Sequence, residues 1–530
     1  MRRAFVGPAV VSLLLCLVPA CGDLVVDNPN EPDLARALAN PADVEALVAN
    51  AWGSWWYPTY HFIGGGAALS TMAFQHSTSA ACQSGVQFSS IPRQPVRNSP
   101  DWPYYGYLSL GYEHWYRAIA AVNDGLRVML VNRTVTLGED EPRAVAWGRF
   151  VQGMGYGYLA LLYSGGAVVD ETTDLQGPRP PYVDYREMME AALGYLDEAM
   201  AIARANAFEI PGTWHFMVPK GERLTSAEFV QLISSYKARL RAAVARTPQE
   251  RQAVDWHAVL SDIENGITNS LYYHMEGSGF SYNWTLYYML LPGAWGQMSY
   301  FVSGMADQSG RYQEWMNTPL HGRHPNLPSG PFLIQTPDLR FPQGETAAEQ
   351  RANPGTRHVV AENPGHQWVR PDRGTWRWSY YRHTTYHMRP IDGFLPEMSL
   401  AEMDLLAAEA HYRLGNRAAA ADLINMYRVP AGLNATDADG VNISCVPKLP
   451  MGNCGDLFEM LKWEKRMNTG MDHALLSGAW FFDSRGWGDL HQGTLLQRPI
   501  PYGVAELDGL PILDYGGSLE WGAPMGTYGY

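Results

Sequence analysis

Apolar residues in this chain recur at intervals of three and four in eight separate runs, and that period permits only α-helices with one buried face. The clearest run starts at Thr225, which stands three residues before Glu228 in capping-box spacing. Phe229, Leu232, Ile233, Tyr236, Leu240 and Val244 follow on one face until Pro248 ends the run. Asp255 then opens a shorter helix carrying Val259, Ile263 and Ile267. Earlier in the chain, Asn40 and Pro41 suit the start of a helix with Val44, Leu47, Val48, Ala51, Trp52 and Trp55 on one side. Further stripes comprise Leu110, Ile119, Val122, Leu126 and Leu130; Val145, Val151, Leu159 and Leu162; and Met188, Ala192, Leu196 and Ala199. Gly153, Gly155 and Gly157 weaken the second of these on intrinsic propensity. Leu400, Met403, Ala407, Ala410 and Leu414 form a stripe that stops at Gly415-Asn416, with a short partner over 417–428. The spacing pairs these helices as 41–56 with 109–130, 143–163 with 183–204, 225–245 with 255–268, and 399–415 with 417–428. The expected fold class is therefore mainly α, built from four helix pairs of tetratricopeptide-like length.

Between about 271 and 395 the helical period fades, and Trp284, Tyr287, Trp295, Trp376, Trp378, Tyr380 and Tyr381 crowd among prolines and glycines. A stretch this long without a regular period reads as an irregular, aromatic-rich segment inserted before the fourth pair, and such segments commonly carry function. The division expected is 1–20 as signal, 21–40 as tether, 41–270 as the first three pairs, 271–395 as the ligand-binding insertion and 396–530 as the fourth pair with a C-terminal segment.

The first residues have the make-up of an export signal: Arg2 and Arg3, an apolar run over 9–18, then Pro19-Ala20 before Cys21. That run is too short to span a bilayer. Cys21 stands where a lipoprotein peptidase would leave a lipidated N-terminus, although Pro19 fits that cleavage site poorly. The alternative is plain cleavage after Ala20 with Cys21 an ordinary thiol. Of five cysteines, Cys16 leaves with the signal and Cys82 is the odd one out. Cys445 and Cys454 close a short loop containing Pro447, Pro450 and Gly452, and are candidates for a disulfide or remain two thiols. A formal charge of −14 with no basic stripe argues against nucleic acid.

Three segments resemble the SusD/RagB family of nutrient-binding lipoproteins. The first is Cys21 with its polar tether leading to Asn40-Pro41-Ala42-Asp43. The second is Ala401-Glu402-Met403-Asp404-Leu405-Leu406-Ala407-Ala408-Glu409-Ala410, closed by Arg413-Leu414-Gly415-Asn416. The third is the C-terminal series of Trp463-Glu464-Lys465-Arg466, Trp480-Phe481-Phe482-Asp483-Ser484-Arg485-Gly486, and Arg498-Pro499-Ile500-Pro501 with Glu506-Leu507. The interval Met467 to Ala479, with Asn468-Thr469-Gly470, departs from the family pattern. The resemblance implies four helical repeats in a right-handed superhelix, outer-membrane anchoring at the cell surface, and delivery of a captured oligosaccharide or peptide to a TonB-dependent β-barrel transporter. It brings no catalytic residue and no cofactor.

Aromatic rings suit sugars because a pyranose presents a face of C–H groups. If the segment is extended, Trp376 and Trp378 project to one side and form the first-choice stacking pair, with Tyr380, Trp284 and Tyr287 beside them. Trp102-Pro103-Tyr104-Tyr105 and Trp55-Trp56-Tyr57 come next. The bland alternative is that these rings fill a core. His383 and His387 have helical chelating spacing, but Thr384 replaces the glutamate of a zinc protease and no metal is expected there. Glu464-Lys465-Arg466 reads as a solvated or interface face of a helix. The competing function is a secreted glycoside hydrolase with an aromatic-lined cleft, for which Asp392, Glu397, Glu402 and Asp404 are the available carboxylates.

Overall fold

In a computed structural model, the residues described are 34–60, 66–78, 85–215, 222–275, 296–360, 371–383, 393–469 and 479–517. The helices that build the frame are α1 (Pro41–Tyr60), α2 (Gly106–Leu126), α3 (Glu141–Leu162), α4 (Tyr185–Ala205), α5 (Ser226–Ala243), α6 (Trp256–Glu264), α7 (Leu400–Arg413), α8 (Arg417–Arg428), α9 (Leu457–Thr469) and α10 (Ala479–Trp487). They pack as α1 with α2, α3 with α4, α5 with α6, and α7 with α8. The fold is mainly α, and all four expected pairs form. Their ends follow local chemistry. The Asn40 side chain accepts from the Ala42 amide at 3.1 Å. Thr225 and Glu228 complete a capping box. Asp255 caps α6 through the Ala258 amide at 2.9 Å. Gly415, at φ 84°, breaks the chain between α7 and α8, where Asn416 caps the next helix.

Helix α3 is the hub, packed against α1, α2, α4 and α5. Its glycines make this possible. A Cβ at Gly153 would lie 2.6 Å from Leu196 of α4, one at Gly155 2.8 Å from Ile119 of α2, and one at Gly157 2.9 Å from Leu240 of α5. The residues that lower helix propensity are thus notches that seat three neighbouring helices. Around the hub lies an aromatic core: Trp52 stacks on Trp55 at 4.1 Å and on Phe150 at 5.0 Å, and Tyr158 meets Trp55 edge-on at 4.9 Å. Trp55 donates to the Met154 carbonyl and Trp115 to the Trp55 carbonyl, each at 3.1 Å.

Six strand segments matter below: β1 (His76–Thr78), β2 (Leu271–Met275), β3 (Gly296–Met298), β4 (His358–Val360), β5 (Tyr381–His383) and β6 (Gly393–Met398). β2 pairs antiparallel with β6, so the two ends of the long irregular stretch meet beside the helices. β1 pairs with β3 and β4 with β5. Tyr273, Tyr300, Phe301, Trp376 and Tyr381 belong to the same buried cluster as the helix-pair residues. Cys445 and Cys454 are joined as a disulfide.

Charged residues buried between elements hold the C-terminal helices in place. Glu464 is 0% exposed, and Lys465 and Arg466 are 3% exposed each. This corrects the expectation of a solvated or interface face: every one of the three has buried ionic partners. Glu464 accepts from Arg340 at 2.7 Å and lies 3.5 Å from Arg428. Lys465 meets Asp483, and Arg466 meets Asp489. Charges in such positions survive burial only because they are paired and hydrogen-bonded. No described helix is long and apolar enough to cross a membrane.

Candidate functional site

The segment before β5 does not run as a strand. Gly374 sits at φ 105°, where a Cβ would also strike the Trp376 indole nitrogen at 2.5 Å. Thr375–Arg377 then forms a turn of 3-10 helix. Trp376 and Trp378 therefore do not share one extended face, and both are buried, at 5% and 9% exposure. Trp376 meets Phe301 edge-on at 5.9 Å and Phe74 at 6.3 Å, and the Arg377 guanidinium lies 4.2 Å from its ring centre. Trp378 meets the His324 ring at 5.7 Å, and among the described residues its buried indole N–H has no hydrogen-bond partner. Rings so enclosed retain little face for a ligand, and they read as the wall of a site rather than as its stacking platforms.

Tyr380, two residues further on, is half-buried. Its hydroxyl donates to the Asn326 side-chain oxygen, and its amide reaches the Tyr300 hydroxyl at 3.3 Å. His324 accepts the Asn326 amide on Nδ1 at 2.8 Å. Sequence reasoning missed His324 and Asn326; the turn residues around them, Pro325 and Pro328-Ser329-Gly330, were the only signal.

A chain of contacts joins this wall to a second aromatic group. Arg377 donates from Nη1 to the Ser89 hydroxyl and from Nε to the Arg373 carbonyl at 2.9 Å, and the Ser77 hydroxyl donates to the Arg377 carbonyl. Arg93 fixes the neighbouring loop, donating to the Phe88 and Met72 carbonyls at 2.6 Å each and to Thr494 at 2.9 Å. Burial, helped by the nearby Arg377 charge, brings the Arg93 guanidinium down to about 9. Phe88 meets Trp102 at 6.0 Å, and Trp102 meets Tyr104 at 5.5 Å. Trp102, Tyr104 and Tyr105 are all half-buried, so each keeps some open ring surface. Trp102 and Tyr104, beside Phe88, and Tyr380, two residues beyond Trp378, are thus partly open rings at the two ends of this chain of contacts. Trp55 and Trp56 are core, at 0% and 8% exposure, while Tyr57 stacks on His114 at 4.8 Å. Trp284, Tyr287, His387, Asp392 and Cys21 lie outside the described residues.

Three of the four carboxylates named for a hydrolase are engaged elsewhere. Glu402 takes Arg239 through both oxygens, at 2.7 and 2.8 Å. Glu397 accepts from Arg239 at 3.0 Å and from the Tyr236 hydroxyl at 2.9 Å. Both acids are buried. Asp404 accepts from Tyr427. The geometry makes Glu397 and Glu402 the two arms of a tie from α5 to β6 and α7, not a pair flanking a cleft. His383 belongs to β5, so the helical chelating geometry with His387 does not arise at that end.

No protein-family model matches the sequence, and comparison with curated proteins finds no match. Comparison with solved structures gives similarity over most of the chain. A SusD superfamily protein from Bacteroides thetaiotaomicron aligns with a TM-score of 0.54 at 12% identity, covering 88% of this chain and 97% of that one. A SusD homolog from Parabacteroides distasonis gives 0.53 at 12% identity, over 83% and 84%. A SusD-like carbohydrate binding protein from Bacteroides vulgatus gives 0.50 at 15% identity, over 83% and 82%.

Proposed function

We propose that this chain, which has the SusD-like fold, is a non-enzymatic cell-surface protein that captures an oligosaccharide and passes it to a TonB-dependent outer-membrane transporter. The observation that carries the reading is the set of partly open rings, Trp102, Tyr104 and Tyr380, on a fold that a carbohydrate-binding protein also uses. Each stacked sugar could remove roughly 100 Å² of apolar surface from water, about 2.5 kcal/mol at most. Two or three such contacts, less the cost of association, suit micromolar to millimolar affinity, as required of a protein that must also release its cargo. The Tyr380 hydroxyl and the Asn326 side-chain carboxamide add groups that can bond to sugar hydroxyls. Attachment is proposed through lipid on Cys21. Replacement by serine should release the protein from membranes in cells lacking the transporter, and unchanged fractionation would remove the lipid from the account.

The test of the binding reading is a glycan array beside a peptide pool, followed by calorimetry on the best hit. Trp102→Ala combined with Tyr380→Ala should weaken binding at least tenfold, about 1.4 kcal/mol. The effect should be nearly independent of salt, because stacking uses no net charge. Trp376→Ala with Trp378→Ala should instead lower stability. Binding only to peptides would overturn the carbohydrate reading, and breakdown of the polymer by purified protein would favour the hydrolase.

A further inference from the structure

In the β4–β5 ladder His358 stands directly opposite His383. His358 spends its amide on the Arg340 carbonyl and its carbonyl on the Gly355 amide, at 2.9 Å each. The two histidines therefore form the non-hydrogen-bonded kind of cross-strand pair, in which side chains come closest. Their ring centres are 5.4 Å apart. Both residues are buried, at 1% and 3% exposure, and among the described residues neither ring nitrogen of His358 has a hydrogen-bond partner. A buried imidazole with both nitrogens unmet is rare and calls for an explanation.

We propose that His358 and His383 form a two-imidazole site for a borderline divalent transition ion, Zn²⁺ being the reference case. A zinc–nitrogen distance of about 2.05 Å and a tetrahedral angle put the centres of two ligating imidazoles about 5.2 Å apart, close to the spacing seen here. Two protein ligands leave two positions for water or an anion, so the site binds exchangeably and not as a closed structural centre. Among the described residues no third histidine, cysteine or free carboxylate completes it. Asp338, Arg340 and Arg357 are the charged groups that act on His358, and Arg340 is bonded to both Asp338 and Glu464, with Arg428 beside Glu464. Arg382, one residue before His383 in the strand, projects to the opposite side.

Calorimetric titration of tag-free protein with Zn²⁺, and visible spectroscopy with Co²⁺, test the proposal. The expected result is one equivalent bound with micromolar affinity and a tetrahedral-type Co²⁺ spectrum. His358→Leu and His383→Leu should each weaken binding at least tenfold while both variants keep the wild-type circular dichroism. Absent binding, or binding untouched by either substitution, would overturn the proposal. Should a variant fail to fold, the wild-type Co²⁺ spectrum decides, with an octahedral-type spectrum counting against the site.

Discussion

Arg251→Met should destabilise the protein by about 3–5 kcal/mol, the usual result of leaving buried carboxylates without their cation. Arg251 is fully buried in the short helix Pro248–Gln252 that follows α5. It grips Glu409 of α7 through two bonds, at 2.9 and 2.6 Å, and Asp483 of α10 at 2.8 Å. Lys465 of α9 meets Asp483 at 2.8 Å, and Trp487 donates to Glu409 at 2.9 Å. Burial alone would push the Glu409 carboxyl up, but the Arg251 charge and hydrogen bonds, joined by Lys465 and Arg413, hold it well below the ordinary carboxylate range. Removing Arg251 leaves Glu409 and Asp483 sharing Lys465, with Arg413 at the edge. Adding Glu409→Leu removes one of the stranded charges and leaves Asp483 with Lys465 as a neutral pair. The double variant should therefore be more stable than Arg251→Met alone, by about 1 kcal/mol or more. Chemical denaturation of the three proteins checks both halves. A single-variant loss under 1 kcal/mol would mean that water reaches the cluster and that it does not bind the fourth pair to the C-terminal helices.

Stability should also fall steeply as pH drops from about 6.5 towards 4.5. Burial holds His76, His358 and His491 at about 3, with the Arg93 charge adding to the effect at His491, and burial holds His215 at about 4. The unfolded chain takes up these protons near pH 6.5 and the folded chain does not, so the unfolded state is favoured as pH falls through 6.5. Each histidine then costs roughly 2 kcal/mol at pH 5, and four together are comparable with the whole stability of an ordinary domain. Carboxyls that burial raises, such as Glu459 and Asp483, give back part of this at the acid end of the window. Scanning calorimetry in chelator should show a nearly constant Tm above pH 7 and a drop of roughly 5–10 °C by pH 5. His358→Leu should flatten that drop by about a quarter, because among the described residues the His358 ring has no hydrogen bond to lose and the variant has one proton fewer to exclude. A Tm that stays level to pH 5 would mean that these rings protonate in the folded protein.

The helix pairs were legible in the sequence because the 3.6-residue period and the capping residues act within a turn or two of the chain. Thr225 and Glu228 need only each other to start α5, and Gly415-Asn416 suffices to separate α7 from α8. The Cys445–Cys454 bridge was legible for the same reason, being closed within one short loop. What each surface meets is a different matter, since it depends on residues hundreds of positions away. Gly153, Gly155 and Gly157 read as weak points in a helix until Leu196, Ile119 and Leu240 are seen seated on them. Glu464, Lys465 and Arg466 read as a wet face because isolated charges prefer water; Arg340, Asp483 and Asp489 make their burial tolerable. Trp376 and Trp378 alternate as a strand would, yet Gly374 turns the backbone into a 3-10 helix and the rings pack inward against Phe74, Phe301 and His324. Helix identity was determined locally, by period and caps. The choice of which rings and charges are covered was made only by tertiary packing, because burial is a property of two surfaces and a sequence pattern describes one.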